Sequence, residues 1–126
     1  MRLIQTIAII VSLIWFISCG GKDSTQNEKG VVTEVKQSHV MVKLPTVQCN
    51  TCKNTIETGL RNVNGILSVN VDVENLVGHI NYNPEKIKID EIETAISALG
   101  YQANDTEADP DAYANLPSCC KLTKDR

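Results

Sequence analysis

The chain has 126 residues, with 15 acidic and 12 basic side chains and a formal net charge of −3. This length fits one small domain, and the mild acidity indicates a well-solvated surface without naming a ligand. Only 4% of the residues are aromatic, and no basic patch interleaves with them, so the composition argues against nucleic acid as a partner.

Residues 1–18 differ in composition from the rest of the chain. They contain a basic residue, Arg2, followed by an apolar run and by a small residue, Ser18, just before Cys19. This is the pattern of an export signal. The run is too short and too polar for a spanning helix, which needs about 20 apolar residues. The sequence from Phe16 to Cys19 resembles a bacterial lipoprotein signal, and this resemblance implies that Cys19 is lipidated. We therefore expect an exported protein of the bacterial cell envelope, anchored by lipid at the periplasmic or outer-membrane face. The alternative is an ordinary export signal with an unmodified cysteine beside it.

A polar stretch and two regular elements come next. Residues 19–38 are rich in glycine, serine, threonine and charged side chains, which predicts a flexible tether. Apolar and polar residues then alternate over residues 39–44, which predicts a strand that ends at Pro45. An apolar stripe with helical spacing predicts a helix over residues 53–63.

In the second half of the predicted domain, the spacing of apolar residues again changes from that of strands to that of a helix. Strict alternation over residues 67–73, a turn and a second alternating stretch up to Tyr82 predict a hairpin. Helical spacing returns over residues 89–99 and stops at Gly100, and a last short strand is predicted from Tyr101. This order fits the ferredoxin-like βαββαβ motif of the α+β class, with two helices on one face of a four-stranded antiparallel sheet.

Cys49 and Cys52 lie where the first predicted strand leads into the first helix. Thiolates are soft ligands that select copper(I), zinc and similar ions, and this spacing lets two outward-facing sulfurs point at one centre. The N–H groups at the helix start favour the thiolate form of Cys52. Two thiolates satisfy copper(I) or mercury(II), whereas zinc requires four ligands. The pair predicts a heavy-metal site with copper(I) as the first choice and zinc or mercury(II) as alternatives.

A C-x-x-C loop in the first turn of a βαββαβ unit resembles the heavy-metal-associated domain, over residues 39–104. That family includes copper chaperones, N-terminal domains of metal-transporting P-type ATPases and the periplasmic mercury-binding protein. The resemblance implies that Cys49 and Cys52 bind the metal, that Val47 takes the apolar position usually held by methionine, and that Tyr101 lies near the loop. It also implies metal transfer or sequestration, with a metal-transporting membrane protein or another metal-binding domain as the partner.

Residues 105–126 are predicted to be an acidic linker that carries the vicinal cysteines Cys119 and Cys120. These thiols are candidate accessory ligands at Cys49 and Cys52, or an oxidised vicinal pair in an exported protein. Since no catalytic triad or phosphate loop accompanies the cysteines, we predict no catalytic residue and do not expect an enzyme. The alternative function is a thiol–disulfide redox protein that uses Cys49 and Cys52.

Overall fold

A computed structural model describes residues 34–126 of the chain. The export signal, Cys19 and the tether up to residue 33 lie outside the described residues and stay predictions. Residues 34–37 have no regular secondary structure and lead directly into the first strand. Among the helices of residues 34–126, none has both the length and the apolar character needed to cross a bilayer.

Three antiparallel strands form the sheet, namely β1 (Ser38–Lys43), β2 (Ile66–Asp72) and β3 (Val77–Tyr82). The central strand is β3, which pairs with β1 on one side and with β2 on the other. Alternating side chains point to opposite faces of a strand, and the buried face carries Val42, Val71 and Ile80 with at most 1% exposure. The predicted first strand and hairpin are therefore confirmed.

Two helices supply the other half of the core, namely α1 (Asn50–Arg61) and α2 (Ile89–Ala98). Their apolar stripes contribute Ile56, Leu60, Ile92 and Ile96, all with 0% exposure, to one buried cluster that they share with the sheet. Both helices were predicted, but α1 begins at Asn50 rather than at Lys53, because Cys49 is the extended N-cap residue. This early start places Cys52 inside the first helical turn.

The predicted fourth strand is wrong within the part of the chain that the structure describes. Beyond Tyr101 only an isolated bridge forms, between Ala103 and Thr106. Asn104 has a φ of 51°, in the left-handed region, which ends any extended run. The Asn104 N–H donates to the Lys43 carbonyl and its side-chain oxygen accepts the Lys43 N–H, both at 2.9 Å. These two bonds tie the segment to the end of β1. Within residues 34–126 the α+β architecture therefore contains a three-stranded sheet rather than the predicted four-stranded one.

The C-terminal segment, residues 105–126, is folded rather than extended as a linker. It contains α3 (Pro110–Ala114) and two 3₁₀ helices, Ser118–Cys120 and Thr123–Asp125. The Asp109 carboxylate caps α3 by accepting the Ala112 N–H at 2.8 Å. The segment packs against the end of α2 at Gly100, where a methyl group would lie 2.9 Å from the Tyr113 nitrogen. This packing directs the C-terminal cysteines back towards the domain.

Candidate metal centre

The two loop cysteines lie at the start of α1. Cys49 is the N-cap residue, with an extended backbone (φ −156°, ψ 170°), and Cys52 is the third residue of the helix. Their Sγ atoms are 3.3 Å apart, well beyond the about 2.05 Å of a disulfide bond, and both residues are free thiols. One turn of backbone therefore brings two sulfurs close enough to share one ion.

The exposures of these two cysteines differ, contrary to the expectation that both sulfurs face outward. Cys49 is partly exposed, whereas Cys52 has 0% exposure and belongs to the core cluster. Cys120 of the C-terminal segment lies against Cys52 and is itself fully buried. The expectation is wrong for Cys52, which belongs to the buried core face of α1 and has Cys120 as a neighbour, and Cys49 alone of the pair reaches the surface.

Val47 and Tyr101 lie close to the loop, on its inner side. Val47 is 1% exposed, and its N–H donates to the Leu44 carbonyl at 3.1 Å, so it anchors the loop in the core. Tyr101 is fully buried, and its hydroxyl lies near Cys120, Thr55 and Cys52 but forms no hydrogen bond of standard geometry with the described residues. Desolvation raises the pKa of Tyr101 well above its usual range, and Cys120 adds to the shift. The hydroxyl therefore stays protonated and is a free donor next to the sulfurs.

The electrostatics of the loop favour ionised sulfur at its exposed end. The pKa of Cys49 is lowered from 9.0 to about 6, chiefly because the Cys52 backbone N–H donates towards the sulfur, while desolvation opposes the shift. A hydrogen bond to the charged form stabilises a thiolate in this way. Burial raises the pKa of Cys120 well above that of an ordinary thiol. At neutral pH Cys49 is thus a thiolate and Cys120 a thiol in the metal-free protein.

The C-terminal cysteines approach the loop across the fold. The Cys120 sulfur lies 3.9 Å from that of Cys49 and 3.9 Å from that of Cys119. The sulfurs of Cys49, Cys119 and Cys120 all lie within 4.8 Å of one another, and the Cys49 thiol is 3.7 Å from the Cys119 carbonyl. Cys119 is exposed and free. The Cys49 sulfur therefore lies next to the other loop sulfur, that of Cys52, and also next to the sulfurs of the C-terminal pair, Cys119 and Cys120.

Comparison with known families and proteins matches residues 41–102 to the heavy-metal-associated domain. These residues form a heavy-metal-associated domain. The copper chaperone CopZ of Staphylococcus aureus (strain JH9) is 28% identical over 64 residues, which are 51% of this chain and 94% of CopZ. The water-soluble region of the P-type ATPase CopA from Bacillus subtilis is 25% identical, with a TM-score of 0.52 over 55% of this chain and 46% of that one. Oxidised MerP from Ralstonia metallidurans CH34 shares the fold, at 20% identity and a TM-score of 0.52, over 54% of this chain and 94% of MerP.

The heavy-metal-associated domain contains some of the predicted site residues and leaves others outside. Cys49, Cys52, Val47 and Tyr101 all fall within the matched residues 41–102. The C-terminal cysteines fall outside them, so their position at the loop is a feature of this chain beyond the matched region. The site therefore combines a family loop with an added segment.

Gln48 is a site residue that sequence reasoning missed. Its side-chain amide donates to the Lys121 carbonyl at 2.9 Å, and its side-chain oxygen accepts from the Arg126 guanidinium at 2.9 Å. Both partners belong to the C-terminal segment, so Gln48 holds that segment against the heavy-metal-associated domain beside Cys49. The only signal in the sequence was its position next to Cys49, and a single glutamine does not reveal a partner more than 70 residues away.

Proposed function

We propose that this chain binds a thiophilic metal ion through Cys49 and Cys52 and either carries it to a partner or sequesters it. The observation that supports this most strongly is the 3.3 Å separation of two free sulfurs at the start of α1. The heavy-metal-associated domain supports the same role, because this C-x-x-C loop lies within the matched residues. The chain is thus a metal carrier rather than a catalyst.

Copper(I) is the ion that we propose first. Soft thiolate ligands select copper(I) over harder cations, and two relatives point to copper or to ion transport, one named a copper chaperone and the other a P-type ATPase. Zinc and mercury(II) are the alternatives, since both also bind thiolates. Competition among the three ions on the reduced protein ranks them directly.

The unequal burial of the loop cysteines gives transfer a direction. Cys49 is partly exposed, whereas Cys52 is fully buried, so a partner's thiolate reaches a bound ion from the Cys49 side. A new bond then forms between the ion and the partner's sulfur as the bond to Cys49 breaks, and Cys52 releases the ion last. The partner that we propose is a metal-transporting membrane protein or another metal-binding domain with its own cysteine pair.

We further propose that the protein is exported and held in the bacterial envelope by lipid on Cys19. The support is the signal-like composition of residues 1–18. Cell fractionation tests it: the wild-type protein is expected in the membrane fraction and the Cys19→Ala variant in the soluble envelope fraction. An unchanged distribution of the variant contradicts the lipid anchor and leaves the metal-binding proposal untouched.

The metal-binding proposal is tested by titrating reduced full-length protein with copper(I) in the presence of a chromogenic chelator. We expect one ion per chain to be taken from the chelator, and we expect the Cys49→Ser, Cys52→Ser double variant to lose this capacity. Thr51→Ala is the matched control, because Thr51 is an exposed residue of the same loop without a thiol. Equal binding by the double variant contradicts the proposal.

The alternative function, thiol–disulfide redox chemistry, uses the same cysteine pair but requires it to react differently. It requires Cys49 and Cys52 to cycle between dithiol and disulfide with turnover, so a disulfide-reductase assay on the metal-free protein distinguishes the two functions. We expect the Thr51→Ala control and the wild-type protein to show no turnover above that of free thiols in solution. Appreciable turnover that the double variant lacks would favour the redox function.

A further inference from the structure

The spacing of the sulfurs is the first sign that the loop pair does not act alone. With metal–sulfur bonds of about 2.3 Å, a tetrahedral ion places its sulfurs about 3.8 Å apart and a linear ion places them about 4.6 Å apart. The sulfur of Cys49 lies 3.3 Å from that of Cys52 and 3.9 Å from that of Cys120. The Cys119 and Cys120 sulfurs are also 3.9 Å apart. These three separations are closer to the edge of a tetrahedron than to the span of a linear pair. The group of sulfurs that all lie within 4.8 Å of one another is Cys49, Cys119 and Cys120 and does not include Cys52, so Cys52 and the C-terminal pair must draw together around a shared ion.

The C-terminal segment is held over the loop by contacts that involve no sulfur. The Gln48 side chain bonds to Lys121 and Arg126 at 2.9 Å each. At the other end of the segment, the Ser97 hydroxyl donates to the Glu107 carbonyl at 2.6 Å. The cysteines between these contacts are therefore already held near the loop before any ion binds. This reduces the conformational entropy that the segment loses when its cysteines bind a metal.

The buried Tyr101 hydroxyl is a second, independent sign. It lies near Cys120, Thr55 and Cys52 and forms no hydrogen bond of standard geometry in the described part of the chain. Buried polar groups are almost always hydrogen-bonded, and a metal-bound thiolate is a charged acceptor that forms stronger hydrogen bonds than a neutral thiol. Ionised sulfur at Cys52 or Cys120 would thus satisfy a donor that the metal-free protein leaves unpaired.

We propose that, when the bound ion is a tetrahedral divalent cation of the zinc class rather than copper(I), Cys119 and Cys120 join Cys49 and Cys52 as ligands and complete a four-thiolate site. This inference rests on the proposed function, because it adds ligands to the same loop pair. On binding, four metal–sulfur bonds form and the sulfurs release their remaining protons to solvent. Four ligands leave no open position on the ion, so the C-terminal segment must move away before a partner's thiolate can enter.

Zinc(II) is the probe that tests the proposal, because zinc requires four ligands and two sulfurs alone cannot supply them. Every protein in the experiment carries Cys19→Ser, which removes the fifth cysteine of the chain from the count. Zinc-edge X-ray absorption on the reduced full-length protein gives the number of bound sulfurs. We expect four in this parent protein and two in the Cys119→Ser, Cys120→Ser variant.

Affinity is the second readout. Competition with a chromogenic zinc chelator is expected to show a loss of more than about 100-fold in the C-terminal double variant, above the range found when only supporting residues around a metal are changed. Because Cys120 is buried and its replacement disturbs packing, the single Cys119→Ser variant is measured as well; Cys119 is exposed. It is expected to fold like the parent and to bind zinc with three sulfurs. Ser118→Ala, an exposed neighbour, is the matched control and is expected to behave like the parent.

The outcomes separate this inference from the proposed function. If the sulfur count and affinity of both Cys119 variants equal those of the parent, the four-thiolate site is overturned while the loop pair is unaffected. If the Cys49→Ser, Cys52→Ser variant keeps the parent's count and affinity, the loop is not the metal site and the proposed function fails. A sulfur count that falls in the Cys49→Ser, Cys52→Ser variant and also in the Cys119→Ser, Cys120→Ser variant supports both proposals.

Discussion

Replacing Gly100 by alanine tests how the C-terminal segment is attached to the domain. Gly100 has a φ of 89°, and an added Cβ would lie 2.9 Å from the Tyr113 nitrogen and 3.0 Å from the Ala112 carbonyl oxygen. The left-handed backbone costs a residue with a side chain roughly 1–2 kcal/mol. The contacts are with backbone atoms that cannot rotate away, and overpacking of this kind costs about 1–3 kcal/mol. We therefore expect the free energy of unfolding to fall by about 2–5 kcal/mol.

The same substitution is expected to loosen the cover over the metal centre. Displacement of α3 relieves the contact at Gly100 and draws Cys120, which is fully buried, towards solvent. The assay combines urea unfolding, followed by circular dichroism, with maleimide labelling of the native protein, read by mass spectrometry. We expect Cys120 to be labelled faster in Gly100→Ala than in the wild-type protein.

Gly65→Ala is the matched control for this experiment. Gly65 also has a positive φ, of 99°, but the atoms closest to its added Cβ belong to Lys86 and Ile87, away from the C-terminal segment. We expect a comparable loss of stability without faster labelling of Cys120. A cost of less than about 0.5 kcal/mol for Gly100→Ala, the range of an ordinary surface substitution, or equal labelling of Cys120 in both variants would contradict docking of the C-terminal segment at Gly100.

Three further predictions concern the loop and the core. Alkylation of Cys49 in metal-free protein is expected to rise with pH around a midpoint near 6, because its pKa is lowered to about 6 and the thiolate is the reactive form; a midpoint near 9 would contradict the geometry of the loop. Glu57→Ala is expected to cost about 1–3 kcal/mol in urea unfolding, because it leaves the Val71 N–H, now bonded to the carboxylate at 2.9 Å, without a partner; Glu57→Gln keeps the acceptor and should cost less. Ile96→Ala is expected to cost about 2–5 kcal/mol by the same measurement, since Ile96 is fully buried, whereas exposed Met41→Ala should change stability by less than about 0.5 kcal/mol.

Most of the fold was predictable because it depends on short-range patterns. The helical spacing over residues 89–99 and the alternation at Val69 and Val71 reflect which face of each element is buried, and the strand and helix formed close to their predicted bounds. Leu67 departs from the pattern and is 45% exposed, because the register shifts between Ile66 and Ser68. The fourth strand failed at Asn104, whose left-handed backbone is stabilised by side-chain and backbone bonds to Lys43. Such a local conformation depends on a partner 61 residues away, which a period-two pattern does not record.

The candidate site was likewise predictable where it depends on neighbouring residues and not where it depends on contacts between distant ones. Cys49 and Cys52 approach each other through one turn of backbone, so their spacing in the sequence was enough to predict a pair. The contact of Cys120 with Cys49 joins residues 71 positions apart and depends on the docking of α3 at Gly100. The sequence therefore predicted Cys119 and Cys120 as candidate ligands but not their position, and it did not predict that Cys52 is buried in the core.

Native mass spectrometry of the reduced chain after addition of one equivalent of copper(I) shows whether Cys49 and Cys52 hold the ion. Cys19→Ser is present throughout, so that any ion retained is held by the remaining four cysteines. We predict a single copper ion on the parent protein and none on the variant that also carries Cys49→Ser and Cys52→Ser. Retention of one copper ion by that variant at the parent's level would contradict the claim that the loop pair binds the metal.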